Sequence, residues 1–275
     1  MTTSSDAAPL RLNLVSDGTF RLDGGAMFGV VPRVLWEKVL PPDESNRVEL
    51  GLNCLLVRGG DRILLLETGV GEKRKELMAE RYRHEPAPGL MAALAAAGVK
   101  PAEVTDVVNS HLHWDHAGGN TCRRGGGLLQ ATFPQAIYHV QRGELAHARE
   151  AGARGRGSYM QDDYEILEKE GRLALLDGEA EIMPGVTVHP APGHLPHMQV
   201  VLLQGRDGTV FFPADLIPTR HHLAPAWVMG FDVEPELTVR TKDHWLRRCA
   251  AGGWRMFLYH EAGHPWGLVG SECGP

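Results

Sequence analysis

Two packed β-sheets with helices on their outer faces, a four-layer αβ/βα sandwich of the α/β (α+β) class, is the fold the sequence predicts. Three observations predict it. Strand-like runs fall into two clusters, one in the first half of the chain and one in the last third, with helical segments between them. No fixed-period repeat or linker splits the chain, so residues 1–275 are expected to form one domain. A hydrophobic content of 43% beside 23% charged residues is ordinary for a globular protein and enough for a sizeable core.

Each element has a local reason. Residues 10–15 alternate apolar with polar, and the Ser16-Asp17-Gly18 and Asp23-Gly24-Gly25 stretches carry turn chemistry, which reads as hairpin material after a short tail. Residues 48–57 and 62–67 read as a second hairpin around Gly59-Gly60-Asp61. Helices are expected over 72–83 and 90–97, with Pro88 at a start and Gly98 at a stop. The apolar run 104–109 is a strand, 123–127 (Arg-Arg-Gly-Gly-Gly) a surface loop, 136–140 a strand and 141–150 a helix. Residues 152–157 read as a connector, with a lid as the alternative, and 162–170 as helical. Short strands follow at 173–176, 186–189, 198–203 and 209–212, then a helix over 235–251 with Pro at its first turn, and a last strand at 254–259.

The chemistry concentrates in residues 110–120, Ser-His-Leu-His-Trp-Asp-His-Ala-Gly-Gly-Asn. His111, His113, Asp115 and His116 are ligand types that suit zinc and similar divalent ions. In an extended segment His111 and His113 face the same way while Leu112 turns inward. Asp115 and His116 are neighbours and diverge, which favours a second ion beside the first.

This His-x-His-x-Asp-His pattern followed by glycines resembles the metallo-β-lactamase-fold hydrolase superfamily, and it matches that family at every ligand position of the motif. The resemblance implies a metallo-β-lactamase-like sandwich and ligands further downstream. His194, held by Pro192-Gly193, is the third ligand it implies for the first ion; Asp215 is the carboxylate that bridges both ions; His260 completes the second. An acidic residue, Thr and Gly support the metal loop from behind in that family, usually with Asp; here the acid is Glu67. A Gly-His pair often follows the third ligand there, whereas this chain has Pro196-His197, for which a hydrogen-bonding structural role is expected.

The cofactor expectation is therefore two divalent metal ions, Zn2+ foremost, with Mn2+ or Fe2+ as alternatives. Two such ions hold a bridging water as hydroxide, and Asp115 is a ligand that also relays the proton. The reaction expected is hydrolysis of an ester or lactone, similar to the small cytoplasmic branch that includes acyl-homoserine lactonases. Those lactonases carry Tyr three positions after the bridging Asp, and this chain has Pro218 there. Phosphodiester, nucleic-acid or organophosphate hydrolysis is the alternative within the fold, and a mononuclear-iron persulfide dioxygenase the alternative in another class. A structural metal domain is disfavoured because structural zinc sets are rich in Cys and this set has none.

Substrate contacts are expected from Met27 and Phe28, an apolar stretch with core packing as its other use, and from His221 and His222, on a loop beyond Asp215. A small molecule is the expected partner. The formal charge of −6 without a basic block argues against nucleic acid. No apolar run approaches the ~18 residues that cross a bilayer, and the amino terminus lacks a basic start with an apolar run, so no membrane partner and a cytoplasmic location are expected. Nothing in the sequence decides between a monomer and a homo-oligomer. Cys54, Cys122, Cys249 and Cys273 are widely spaced and form no Cys-x-x-Cys pair, which leaves reduced thiols as the expectation.

Overall fold

Parallel strands cannot be joined by tight turns; each needs a crossover long enough to carry a helix. That rule organises the first half of the chain. The computed structural model describes residues 10–125 and 127–268. Strand β1 (Arg11–Asp23) is followed by the short helices α1 (Gly24–Phe28) and α2 (Arg33–Trp36), then by β2 (Arg47–Gly59), antiparallel to β1, and β3 (Arg62–Leu66), antiparallel to β2. Helices α3 (Lys75–Tyr82) and α4 (Leu90–Ala96) cross over to β4 (Asp106–Val108), which is parallel to β3. Helix α5 (Trp114–Ala117) and a hairpin of β5 (Thr121–Arg124) and β6 (Leu128–Ala131) lead to β7 (Ile137–Gln141), parallel to β4. Helices α6 (Arg142–Glu150) and α7 (Glu165–Lys169) lead to β8 (Leu173–Leu176), parallel to β7. The sheet order is β1-β2-β3-β4-β7-β8.

The second sheet begins as an antiparallel meander of β9 (Ala180–Met183), β10 (Val186–Pro190), β11 (Gln199–Gly205) and β12 (Gly208–Phe212). Helix α8 (Pro235–Gly252), with Pro at its first turn and Gly253 in the left-handed region at its end, crosses to β13 (Arg255–Phe257), parallel to β12. Strand β14 (Trp266–Leu268) closes the edge. Both sheets feed one continuous apolar core. β2 is buried along most of its length, on both faces, as a strand covered on each side must be. The expected class, two mixed sheets with helices, is the one observed.

Several local expectations give way to tertiary context. Ser16-Asp17-Gly18 is a bulge inside one long strand, because β1 keeps pairing with β2 on either side of it. The buried Asp17 carboxylate there accepts the backbone N–H groups of Gly71 and Leu90, each at 3.0 Å. Gly18 has φ +96° and lies so close to the Glu85 carbonyl that a Cβ would sit 2.0 Å from it. Asp23 does not end a hairpin but caps α1, its side chain accepting the Ala26 N–H. Arg123 and Arg124 belong to β5 rather than to a loop, and β9 and β14 were not anticipated. His197 is exposed, beside Gly143, with no hydrogen bond among the described residues. The amino-terminal tail through residue 9 and Cys273 lie outside the described residues; Cys54, Cys122 and Cys249 are free thiols.

Candidate metal centre

Strand ends deliver the clustered side chains. β4 stops at Val108, and the chain bends at Ser110 and His111 and is extended again at His113 before turning into α5, which carries Asp115 and His116. Leu112, between the two histidines, is fully buried, as is His111. The turn passes tightly against the segment that follows β3: a Cβ on Gly118 would lie 2.3 Å from the Val70 carbonyl oxygen, and one on Gly119 2.1 Å from that of Thr68. The second sheet supplies His194 from the β10–β11 connection, Asp215 from a 3-10 turn after β12, and His260 just after β13.

The structure brings all seven side chains together. Three sets of donor atoms lie within 4.8 Å of one another: His111, His113 and His194; His111, His116 and Asp215; and Asp115, His116 and His260. Asp215 stands between them. Its Oδ1 is 3.2 Å from Nε2 of both His116 and His260, and its Oδ2 is 3.4 Å from Nε2 of His194. Asp115 Oδ2 lies 3.6 Å from His260 Nε2.

The outward edges of most rings are anchored, which aims their other nitrogens inward. His111 Nδ1 meets Ser110 Oγ at 2.9 Å, His194 Nδ1 meets Asp232 Oδ1 at 2.9 Å, and His260 Nδ1 meets the Gly51 carbonyl at 3.0 Å. His116 Nδ1 is 3.3 Å from Glu67 Oε1, and that same oxygen accepts the Ser110 N–H at 3.0 Å. Glu67 therefore stands behind the loop where the sequence placed it.

A divalent cation fits this donor set. His111 Nε2 and Asp215 Oδ1 are buried polar atoms with no hydrogen-bond partner among the described residues, and buried polar atoms in proteins are otherwise paired. The electrostatics agree. Burial, reinforced by the neighbouring imidazoles, pushes His111 and His113 well below the usual histidine range. Burial opposes a charge on His116 as well, but Asp215, Asp115 and Glu67 outweigh it and hold that imidazole well above the range. Asp215 is held well below the usual carboxylate range; burial works against this, and the His116 and His260 rings overcome it. The cluster draws positive charge toward Asp215, and its donors are of the His/Asp type.

A cavity of about 600 Å³ opens onto His113, Asp115, His194, Asp215 and His260. Its lining also includes the apolar Leu22, Met27, Met229, Phe231 and Val233. Met27 reaches the cavity as expected. Phe28 does not: it is fully buried, stacked between Trp36 and His222 at 5.3 and 5.1 Å. His222 is likewise structural, held between Thr219 Oγ1 and the Met27 carbonyl at 2.8 and 2.9 Å and kept neutral by burial, which lowers its pKa to about 3. His221 is half-buried and does not line the cavity. The substrate-contact expectation for these three residues is corrected accordingly. Residues 152–157, expected as a plain connector, form part of the wall, and Arg154 bonds the carbonyls of Gly230 and Asp232 on the facing loop.

Glu144, Tyr159 and Asp232 were not singled out from the sequence. Asp232 and Tyr159 sit in irregular segments with no local signal. Glu144 did leave one: it lies on the buried side of α6 with Leu145 and Ala148, where an apolar residue is the rule.

Comparison with known proteins agrees with this geometry. A model of the Metallo-beta-lactamase superfamily matches residues 47–247. An N-acyl homoserine lactonase of Bacillus cereus is 28% identical over 206 residues, which is 70% of this chain and 75% of that one. Against other lactonase relatives the match spans about half the length of each. A probable metal-dependent hydrolase from Staphylococcus aureus superposes with a TM-score of 0.88 at 24% identity, covering 97% of this chain and 95% of that one. AidC, a dizinc quorum-quenching lactonase in complex with a product N-hexanoyl-L-homoserine, superposes with a TM-score of 0.78 at 20% identity, covering 98% and 94%.

Proposed function

Because the chain belongs to the metallo-beta-lactamase superfamily, we propose that it is a metal-dependent hydrolase of a small carboxylic ester or lactone. His111, His113 and His194 would hold one ion, Asp115, His116 and His260 a second, and Asp215 both. One observation carries the two-ion part: the two oxygens of a single buried carboxylate face the two groups of imidazoles separately, at 3.2 and 3.4 Å. Lactonase relatives and a dizinc structural neighbour support the same choice.

Bound there, divalent ions supply Lewis acidity and lower the pKa of water from ~16 toward neutrality. The rest falls to the chain. Asp115 borders the cavity and is the group that takes up a proton during attack and returns it to the departing oxygen. The wall of Met27, Met229, Phe231 and Val233 receives an apolar acyl group and excludes water from it. Position 218 offers a proline, whose carbonyl accepts the His260 N–H at 3.0 Å, so no phenol helps at that point.

The test is to purify the protein without added metal, count zinc, iron and manganese by mass spectrometry, and assay the same sample on an aryl ester, a lactone and an aryl phosphodiester. About two equivalents of zinc or manganese, with ester or lactone turnover lost in His113→Ala and Asp215→Ala, supports the proposal. One equivalent of iron with no hydrolysis overturns it.

A further inference from the structure

His113 differs from its neighbours in one respect. His111, His194 and His260 each have an outward nitrogen at a hydrogen-bond partner and His116 Nδ1 lies 3.3 Å from Glu67 Oε1, whereas among the described residues the one polar contact of the His113 ring is His194 Nε2, at 3.4 Å within the cluster. Something else must set its orientation. The Tyr159 ring packs edge-on against it with centroids 4.8 Å apart, and the two residues form an isolated antiparallel bridge. The Trp114 N–H, next along the chain, bonds the Ser158 carbonyl at 2.9 Å.

Glu144 fixes both sides of this contact. Its Oε1 accepts the Tyr159 hydroxyl at 3.1 Å and the N–H of Leu112, the residue between His111 and His113, at 3.0 Å. The carboxyl is wholly buried, and its second oxygen has no partner among the described residues. Burial raises its pKa to about 7. An acid kept on the apolar stripe of a helix against that penalty has a use that a leucine would not serve.

We propose that Glu144, acting through the Tyr159 hydroxyl and the Leu112 amide, is the positioning residue that orients His113 toward the first ion. Asp232 and Glu67 sit at the ring nitrogens of His194 and His116 themselves; Glu144 acts on His113 one contact further out. The inference rests on the two-metal proposal above.

Metal-free wild type, Glu144→Leu, Glu144→Gln and Tyr159→Phe would be titrated with Zn2+ against a chromophoric chelator and with Co2+ followed by its visible spectrum. The expected result is that Glu144→Leu weakens one of two sites by roughly 10- to 100-fold, as loss of an outer partner does, and leaves the other unchanged. Glu144→Gln, which keeps an acceptor, restores most of the affinity, and Tyr159→Phe falls between. The Co2+ bands of the weakened site shift in step. A merely structural Glu144 would lower the melting temperature while both affinities and the Co2+ spectrum stay as in wild type, and that result overturns the inference alone. If Glu144→Leu does not fold, Tyr159→Phe decides by the same readouts. Wild type that takes up no ion overturns the metal proposal and this inference with it.

Discussion

The two donor groups share Asp215 and differ in charge. The first, His111, His113 and His194, is all imidazole; its His194 meets Asp215 Oδ2 and has Asp232 behind it. The second, Asp115, His116 and His260, has its own carboxylate, faces Asp215 Oδ1, and has Glu67 directly behind it. Burial keeps His111 and His113 neutral, while the carboxylates around His116 overcome burial and favour its cation. A shared fold position therefore does not make the halves equivalent. His116 in the second half is drawn toward its cation; in the first, His111 and His113 offer neutral lone pairs that depend on how well their rings are aimed, while Asp232 and Asp215 outweigh burial and raise His194.

The largest test of that asymmetry is Asp115→Asn. Hydrolysis should fall by roughly 10²- to 10⁴-fold, the range for loss of a proton-transfer group, while metal affinity of the first group holds. Steady-state kinetics beside chelator competition checks both, and equal weakening of the two sites would show that the halves act as one. Next come the outer anchors. Asp232→Asn and Glu67→Gln should each weaken only the group behind which it stands, by roughly 10- to 100-fold in metal affinity. Zn2+ competition curves with two resolved steps distinguish them, and the same step moving in both variants would break the comparison.

The smallest effect is one of pH. The Glu144 carboxyl titrates near 7 when folded, against an ordinary value of 4.5. Between those values the folded chain keeps a proton that the unfolded chain has lost, so stability falls as pH rises through that window. Glu144→Gln lacks this dependence. Melting curves in chelator at several pH values from about 4.5 to 7.5 should therefore show wild type losing ground to the variant as pH rises. A constant difference would mean that Glu144 titrates normally.

The donors were legible because ligands to one ion need few residue types, and four of them stand within six positions of each other. The other three each follow a strand, where a turn fixes a side chain at the sheet's end. Tyr159 was not legible for a physical reason: its value lies in a hydrogen bond to Glu144 and in a ring contact with His113, more than forty residues away, which no local pattern encodes; Glu144 shows locally only as an acid among buried helix neighbours, and its bond to Leu112, more than thirty residues away, does not show. Phe28 and His222 misled in the same way. An apolar residue beside glycines, or a histidine on a loop, looks available until a partner 194 residues distant stacks on it. Ser16-Asp17-Gly18 is a subtler case, since bulges and turns draw on the same residues, and only continued pairing with β2 distinguishes them.

The donors come from both sheets: His111, His113, Asp115 and His116 follow β4, while His194, Asp215 and His260 follow strands of the other sheet. Beside the apolar core, backbone bonds such as Gly51 N–H to the His260 carbonyl and Asn53 N–H to the Tyr259 carbonyl, each 3.0 Å, join the sheets here. Ions shared between the two sets would tie the sheets into one cooperative unit, because neither sheet could open without releasing them. Removing the ions would leave the sheets joined by the shared core and these backbone bonds, and calorimetry would then record their transition at a lower temperature.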